Sequence, residues 1–145
     1  GGLVVRAWLK TLTVQERAQY VGHVVTVATP HHGTWLARFA HRLPAVDMRE
    51  HSGWIEALGE PPADVRFTCW ASRSDNIVFP SDLAVLAGHV SHVVDDAAHM
   101  QLLFDERVWQ DCLQTRAHLQ ARVQAAVCGG EAGSAEGTGA GAGLS

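Results

Sequence analysis

The sequence predicts an α/β fold of three predominantly parallel strands with flanking helices, and three observations carry that prediction. Short runs rich in β-branched residues recur at 24–27, 65–72 and 90–96. Each is separated from the next by segments with helical apolar spacing, long enough for the crossovers that parallel strands need. Each also runs into a loop of Pro, Gly, Asp or His, where open parallel sheets collect functional groups. The composition agrees: 145 residues that are 47% hydrophobic and 18% charged can bury a core.

In chain order, VVRAWLKTL places Leu3, Val4, Ala7 and Trp8 at helical spacing, so residues 2–12 read as a mostly buried helix. VGHVVTVATP reads as a short buried strand stopped by Pro30. Residues 35–63 mix the amphipathic stretches WLARFAHRL and SGWIEAL with loops, and end at Gly59 and Pro61-Pro62. VRFTCWAS is the second strand, SDLAVLA a short helix capped by Ser81, and VSHVVDD a third strand with Val90, Val93 and Val94 as its apolar positions. From Met100 to Val127 a long amphipathic helix runs through Leu102, Leu103, Val108, Trp109, Cys112, Leu113, Leu119 and Val123. Residues 129–145, GGEAGSAEGTGAGAGLS, hold half of the fourteen glycines and one large apolar side chain, so they read as a disordered tail. The folded body is then residues 1–128.

Several function classes fall away. A net charge of −4 gives no electrostatic footprint for nucleic acid. No apolar run approaches the roughly 18 residues of a transmembrane helix. The cysteines Cys69, Cys112 and Cys128 are odd in number and widely spaced, which excludes a disulfide framework and leans towards a reducing, cytoplasmic-type interior without fixing the compartment. His31 and His32 are adjacent, but no Cys or carboxylate at ligand spacing accompanies them, so no metal and no cofactor is expected.

The chemistry lies in the three loops that follow the strands: Thr29-Pro30-His31-His32-Gly33-Thr34, Ser72-Arg73-Ser74-Asp75-Asn76, and Asp95-Asp96-Ala97-Ala98-His99. An Asp beyond one strand and a His beyond the next would meet on one rim. There the carboxylate would orient the imidazole as it takes a proton from a nucleophile. Asp95 and Asp96 sit only three or four residues before His99 on the same loop, so Asp75 is the preferred acid.

In this order, GGLVVRAWL, VVTVATPHHGTWLA, FTCWASRSDNIVFP and DDAAHMQLLFDERVW resemble the α/β-hydrolase lipases and esterases, in particular bacterial triacylglycerol-lipase-like and GPI-inositol-deacylase-like proteins. The resemblance covers roughly residues 1–110. It implies the carboxyl-terminal half of an α/β-hydrolase fold, with Gly1 and Gly2 closing a G-H-S-x-G-G nucleophile elbow and Arg6 on the helix after it. It places Asp75 and His99 at the acid and base of a Ser-Asp-His triad whose Ser would precede Gly1 by two residues. No G-x-S-x-G occurs within the chain, and its first methionine is Met48, so the chain reads as part of something longer. The resemblance makes residues 35–63 a candidate lid or insert, with Trp35, Leu36, Phe39 and Trp54 lining an acyl site or serving as core. His31, His32 and Gly33 become structural or substrate-contacting loop residues. The position where some of these lipases carry a calcium-binding carboxylate is Gln101, which does not support that site.

Two classes of function stay open at this point. One is a serine ester hydrolase, or an acyltransferase on the same machinery, acting on a lipid or other small-molecule ester. The other is a non-catalytic remnant or interaction module, with protein partners undefined. An isolated body lacking the strands before the elbow is expected to expose one sheet edge and to behave as a loose or aggregating globule.

Overall fold

A computed structural model describes residues 1–39, 41 and 46–132. The chain divides into two compact units, Gly1–Cys112 and Leu113–Ser145. The first holds a three-stranded, all-parallel sheet in the order β1 (Val24–Val27), β2 (Phe67–Ser72), β3 (Val90–Val94). Val24 pairs with Phe67 and Val27 with Trp70, while Thr68 pairs with Val90 and Ser72 with Val94. The expected α/β class with three parallel strands and flanking helices is therefore the observed one.

The alternation of side chains along β2 divides the core. Phe67 and Cys69 point to one face, where they pack with Leu9, Val65 and Leu86, joined by Val5 and Val24. Trp70 points to the other, with Ala28, Val94, Ala97, Leu102 and Val108, joined by Val25 and Val27. All six residues of β2 are buried, as a central parallel strand requires. β3 differs from expectation: only Val94 is buried, and Val90 and Val93 are exposed, because β3 is an edge of this sheet.

The first helix, α1 (Gly2–Thr11), buries Leu3, Arg6 and Leu9. The apolar stripe expected at Leu3, Val4, Ala7 and Trp8 is thus rotated, since Val4 (69%) and Trp8 (47%) are exposed and a cation occupies the buried face. A second helix, α2 (Val14–Tyr20), follows at once. It buries no residue, so hydrophobic periodicity gives no sign of it; its signature is the capping box Thr13-Val14-Gln15-Glu16. The Thr13 N–H donates to Glu16 (2.7 Å) and the Glu16 N–H to Thr13 Oγ1 (3.2 Å). Arg17 then pairs with Asp64 at 2.8 Å and donates to the carbonyls of Leu9 and Leu12, tying α2 to the end of α1.

Beyond β1 the chain forms 3₁₀ turns at Trp35–Phe39 and Val46–Met48 and a short helix α3 (Gly53–Leu58). Ser52 caps α3 by accepting from the Ile55 N–H at 3.2 Å. Ile55 and Leu58 pack against Leu3 of α1. The WLARFAHRL stretch therefore forms a single 3₁₀ turn where it is described; residue 40 and residues 42–45 lie outside the described residues. SDLAVLA likewise gives only a 3₁₀ turn, Ser81–Ala84, preceded by Pro80 and lacking a side-chain cap.

After β3, the long helix expected from Met100 is two helices, α4 (His99–Leu102) and α5 (Glu106–Ala132). Asp105 starts the second by accepting from the Arg107 N–H at 2.9 Å. α5 continues to Ala132, four residues into the segment read as tail, and residues 133–145 lie outside the described residues. No described helix is long and apolar enough to cross a membrane.

Phe67 is the largest fully buried side chain and joins β2 to α1. Phe67→Ala is expected to cost about 3–5 kcal/mol, and Val4→Ala, on an exposed surface, within about 0.5 kcal/mol of zero. Urea unfolding of the two variants measures the contrast, and equal midpoints would refute this account of the core.

Candidate functional site

The loop after β2 is built around Asp75. The Asp75 N–H donates to the Ser72 carbonyl at 3.3 Å, and Ser72 Oγ accepts from the Ser74 N–H at 3.1 Å, which turns the chain back at the sheet rim. Asp75 Oδ1 accepts two backbone N–H groups, Ile77 at 2.7 Å and Val78 at 2.9 Å. Val78 is itself buried with Ala71 and Ala84, so these donors are fixed by packing. The remaining oxygen, Oδ2, meets His99 Nδ1 at 2.8 Å.

His99 is the first residue of α4, placed by two anchors. Leu102 is fully buried beneath the helix, and Gln101 accepts the Ala98 N–H at 2.9 Å. The side chain at the position discussed for calcium is thus engaged as a helix cap. Asp75 is 2% exposed and His99 21%, an arrangement that shelters the carboxylate and leaves the imidazole reachable. With Nδ1–H donating to Asp75, Nε2 is the nitrogen left to accept a proton. Asp95 and Asp96 are engaged elsewhere: Arg73 meets Asp95 at 2.6 Å, and Arg107 bridges Asp96 at 2.7 Å and Asp105 at 2.6 Å. Ser74 Oγ also donates to the Asp95 carbonyl, so the Asp75 and His99 loops are fastened to each other.

His99 borders a cavity of about 640 Å³ whose other walls include Gly1, Gly2, Thr29, Ile77, Val78 and Leu103. The fold therefore brings four of the anticipated residues, Gly1, Gly2, Asp75 and His99, to one place. Gly2 lies so close to Thr29 that a Cβ would sit 2.3–2.9 Å from the Thr29 side chain. Ala28, at the end of β1, takes φ +47°, a left-handed conformation unfavourable for a residue with a Cβ.

His31, His32 and Gly33 are placed away from this pair. His31 is fully buried. Arg6 Nη1 donates to the His31 carbonyl at 2.6 Å and lies 3.4 Å from His31 Nδ1. Since a guanidinium can only donate, Nδ1 is the acceptor and Nε2–H donates to Thr26 Oγ1 at 3.0 Å. His32 Nε2 meets the Val85 carbonyl at 3.1 Å. Gly33 has φ +91°, and a Cβ there would come within 2.7–2.8 Å of the Arg49 and Glu50 backbone, so only glycine fits. Arg6, which the hydrophobic pattern does not single out, also donates to the Gly59 carbonyl, while its Nε is buried without a partner. Burial lowers the Arg6 pKa, with Glu60 opposing.

The tryptophan and phenylalanine set of 35–63 does not form core: Trp35, Leu36, Phe39 and Trp54 are all exposed. Trp54 borders a second cavity of about 360 Å³ with Gly1, Leu3, Val4 and Met48. Among the described residues no three His, Cys, Asp or Glu side chains converge as metal ligands, and the three cysteines are free. The chain matches no protein-family model, no curated protein and no solved structure.

Burial, reinforced by the Arg6 cation, lowers the His31 pKa from 6.5 to about 3. The unfolded chain therefore binds a proton near pH 6.5 that the folded chain refuses until about pH 3. Stability is accordingly expected to fall as pH drops through 6.5 towards 3, by up to about 1.4 kcal/mol per pH unit from this one group. Urea unfolding between pH 7 and 4 should show a shallower slope in His31→Gln; identical slopes would contradict the assignment.

Proposed function

We propose that the Asp75–His99 pair is the acid and base of a serine ester hydrolase that cleaves carboxylic esters of lipid-type or other acyl substrates. The observation that carries this reading is the 2.8 Å contact between Asp75 Oδ2 and His99 Nδ1, with the carboxylate held by two further N–H groups. The resemblance of the four sequence segments to α/β-hydrolase lipases supports it, as does the cavity that His99 shares with Gly1 and Gly2. In this reading the nucleophilic Ser precedes Gly1 by two residues.

His99 Nε2 takes the serine proton as the oxygen attacks the ester carbonyl. The resulting imidazolium is stabilised by Asp75. Nε2 then returns that proton to the departing alcohol, leaving an acyl-enzyme. Water repeats the cycle: Nε2 removes its proton, hydroxide adds to the acyl carbon, and the serine recovers a proton as the acid leaves. The predominantly apolar walls of the cavity, Val5, Val27, Ile77 and Leu103 among them, suit an acyl group better than a polar one.

The chain together with its upstream coding sequence is expected to hydrolyse p-nitrophenyl esters. Asp75→Asn and His99→Ala should lower kcat/KM by on the order of 10³-fold or more. Product analysis with an added alcohol separates hydrolysis from acyl transfer. A fluorophosphonate probe should leave the 145-residue chain unlabelled. Absence of hydrolysis by the longer protein, or an unchanged rate in His99→Ala, would refute the reading.

A further inference from the structure

β3 carries an open edge that is complementary to itself. Among the described residues no strand lies beyond it. The Val94 carbonyl accepts from the Arg73 N–H at 2.8 Å, so Val94 turns its backbone groups towards β2. Backbone groups alternate along a strand, so those of Val90 and His92 also face β2, while those of Ser91 and Val93 face outwards. Proteins blunt such edges with Lys, Pro, inward-pointing charges or a covering element. β3 reads Val-Ser-His-Val-Val, with no Pro, Lys, Arg, Asp or Glu, and its first four residues are all exposed. Two of them are apolar, Val90 at 55% and Val93 at 40%. An unguarded row of backbone donors and acceptors between exposed valines is a template for another strand.

We propose that β3 pairs with β3 of a second copy of this chain, antiparallel about a two-fold axis through His92, so that the two sheets become one. This is the register that pairs every residue of the strand. The outward N–H and C=O groups of Ser91 meet those of Val93 of the second copy, and the reverse. On one face exposed Val90 lies opposite Val94 of the second copy, an apolar pair; on the other, Ser91 lies opposite Val93. His92 meets its own counterpart on the axis. Its ring is stacked on Trp70, with centroids 4.5 Å apart, so it leans over β2 and leaves the axis clear. The two ends of the strand are also complementary. His89 precedes it, packed edge-on against Phe67 at 5.3 Å, and Asp95 follows it, with a side chain that is 71% exposed beside Arg73. Antiparallel pairing sets each imidazole donor beside the other copy's carboxylate, whereas parallel pairing would set like beside like. The two-fold contact closes on itself and leaves no further β3 edge to extend. The pairing is independent of the chemistry assigned to His99.

Sedimentation equilibrium of the 145-residue chain should show a monomer–dimer equilibrium with a Kd of roughly 1–100 μM, as suits a contact smaller than a standard interface. Ser91→Pro removes an outward N–H and no bond to β2, so the monomer stays folded and Kd rises at least tenfold. Val93→Lys, which leaves the backbone intact, should do the same, whereas Tyr20→Lys, at an exposed residue of α2, should leave Kd unchanged. Disulfide trapping reads the register in a Cys112→Ser, Cys128→Ser background. His92→Cys should cross-link to itself, because directly opposite Cα atoms lie about 4.5–5.5 Å apart. Ser91→Cys should not, since its counterpart is two residues off and about 7–8 Å away, but should cross-link when mixed with Val93→Cys. A chain that stays monomeric at about 1 mM, or a Kd that ignores both Ser91→Pro and Val93→Lys, would overturn the proposal. So would equal trapping of His92→Cys and Ser91→Cys, the mark of head-to-tail or unspecific association.

Discussion

Parallel pairing of β2 with both of its neighbours is the constraint on which the rest of this structure depends. Because all three strands run the same way, their carboxyl ends reach one rim, and every loop of chemical interest leaves from it. The register sets the spacing on that rim. Ser72 stands beside Val94, so the Asp75 loop and the His99 loop begin side by side, and the Arg73 N–H reaches the Val94 carbonyl at 2.8 Å. Val27 stands beside Trp70, so Thr29 and the start of α1 come to the same rim from the other edge. A shift of β3 by one residue would turn its side chains to the opposite faces, sending Val94 out of the core and taking away the footing of the loop that carries His99.

A second constraint is polar. Arg6 enters the core from α1 and is held by the carbonyls of His31 and Gly59 in place of a carboxylate partner. Burying this cation is costly even with Glu60 nearby to oppose the effect, and burial of the neutral His31 beside it adds to the pH sensitivity of the fold. What these bonds secure is position. They fasten α1, the loop after β1 and the end of α3 to one another, and α1 begins at the cavity that His99 borders. Gly33 extends the same fastening, since its backbone approaches that of Arg49 and Glu50 too closely for any side chain.

The sequence was most legible where one physical signal acted alone. β-branched runs located all three strands, and the amphipathic stretch SGWIEAL located α3. The pairing of Asp75 with His99 was legible because both follow strands directly, so topology alone brings them together. Legibility failed where signals competed. Val4 and Trp8 made the apolar stripe of α1 look wider than it is, while Arg6 took a core position that hydropathy assigns to solvent. α2 buries nothing and left only its capping box to be read. Val90 and Val93 looked like core because the pattern of a strand does not say whether it is central or at an edge. The Trp35, Leu36, Phe39 and Trp54 set had the spacing of a buried face, and its exposure depends on the turns that interrupt it, which spacing does not encode.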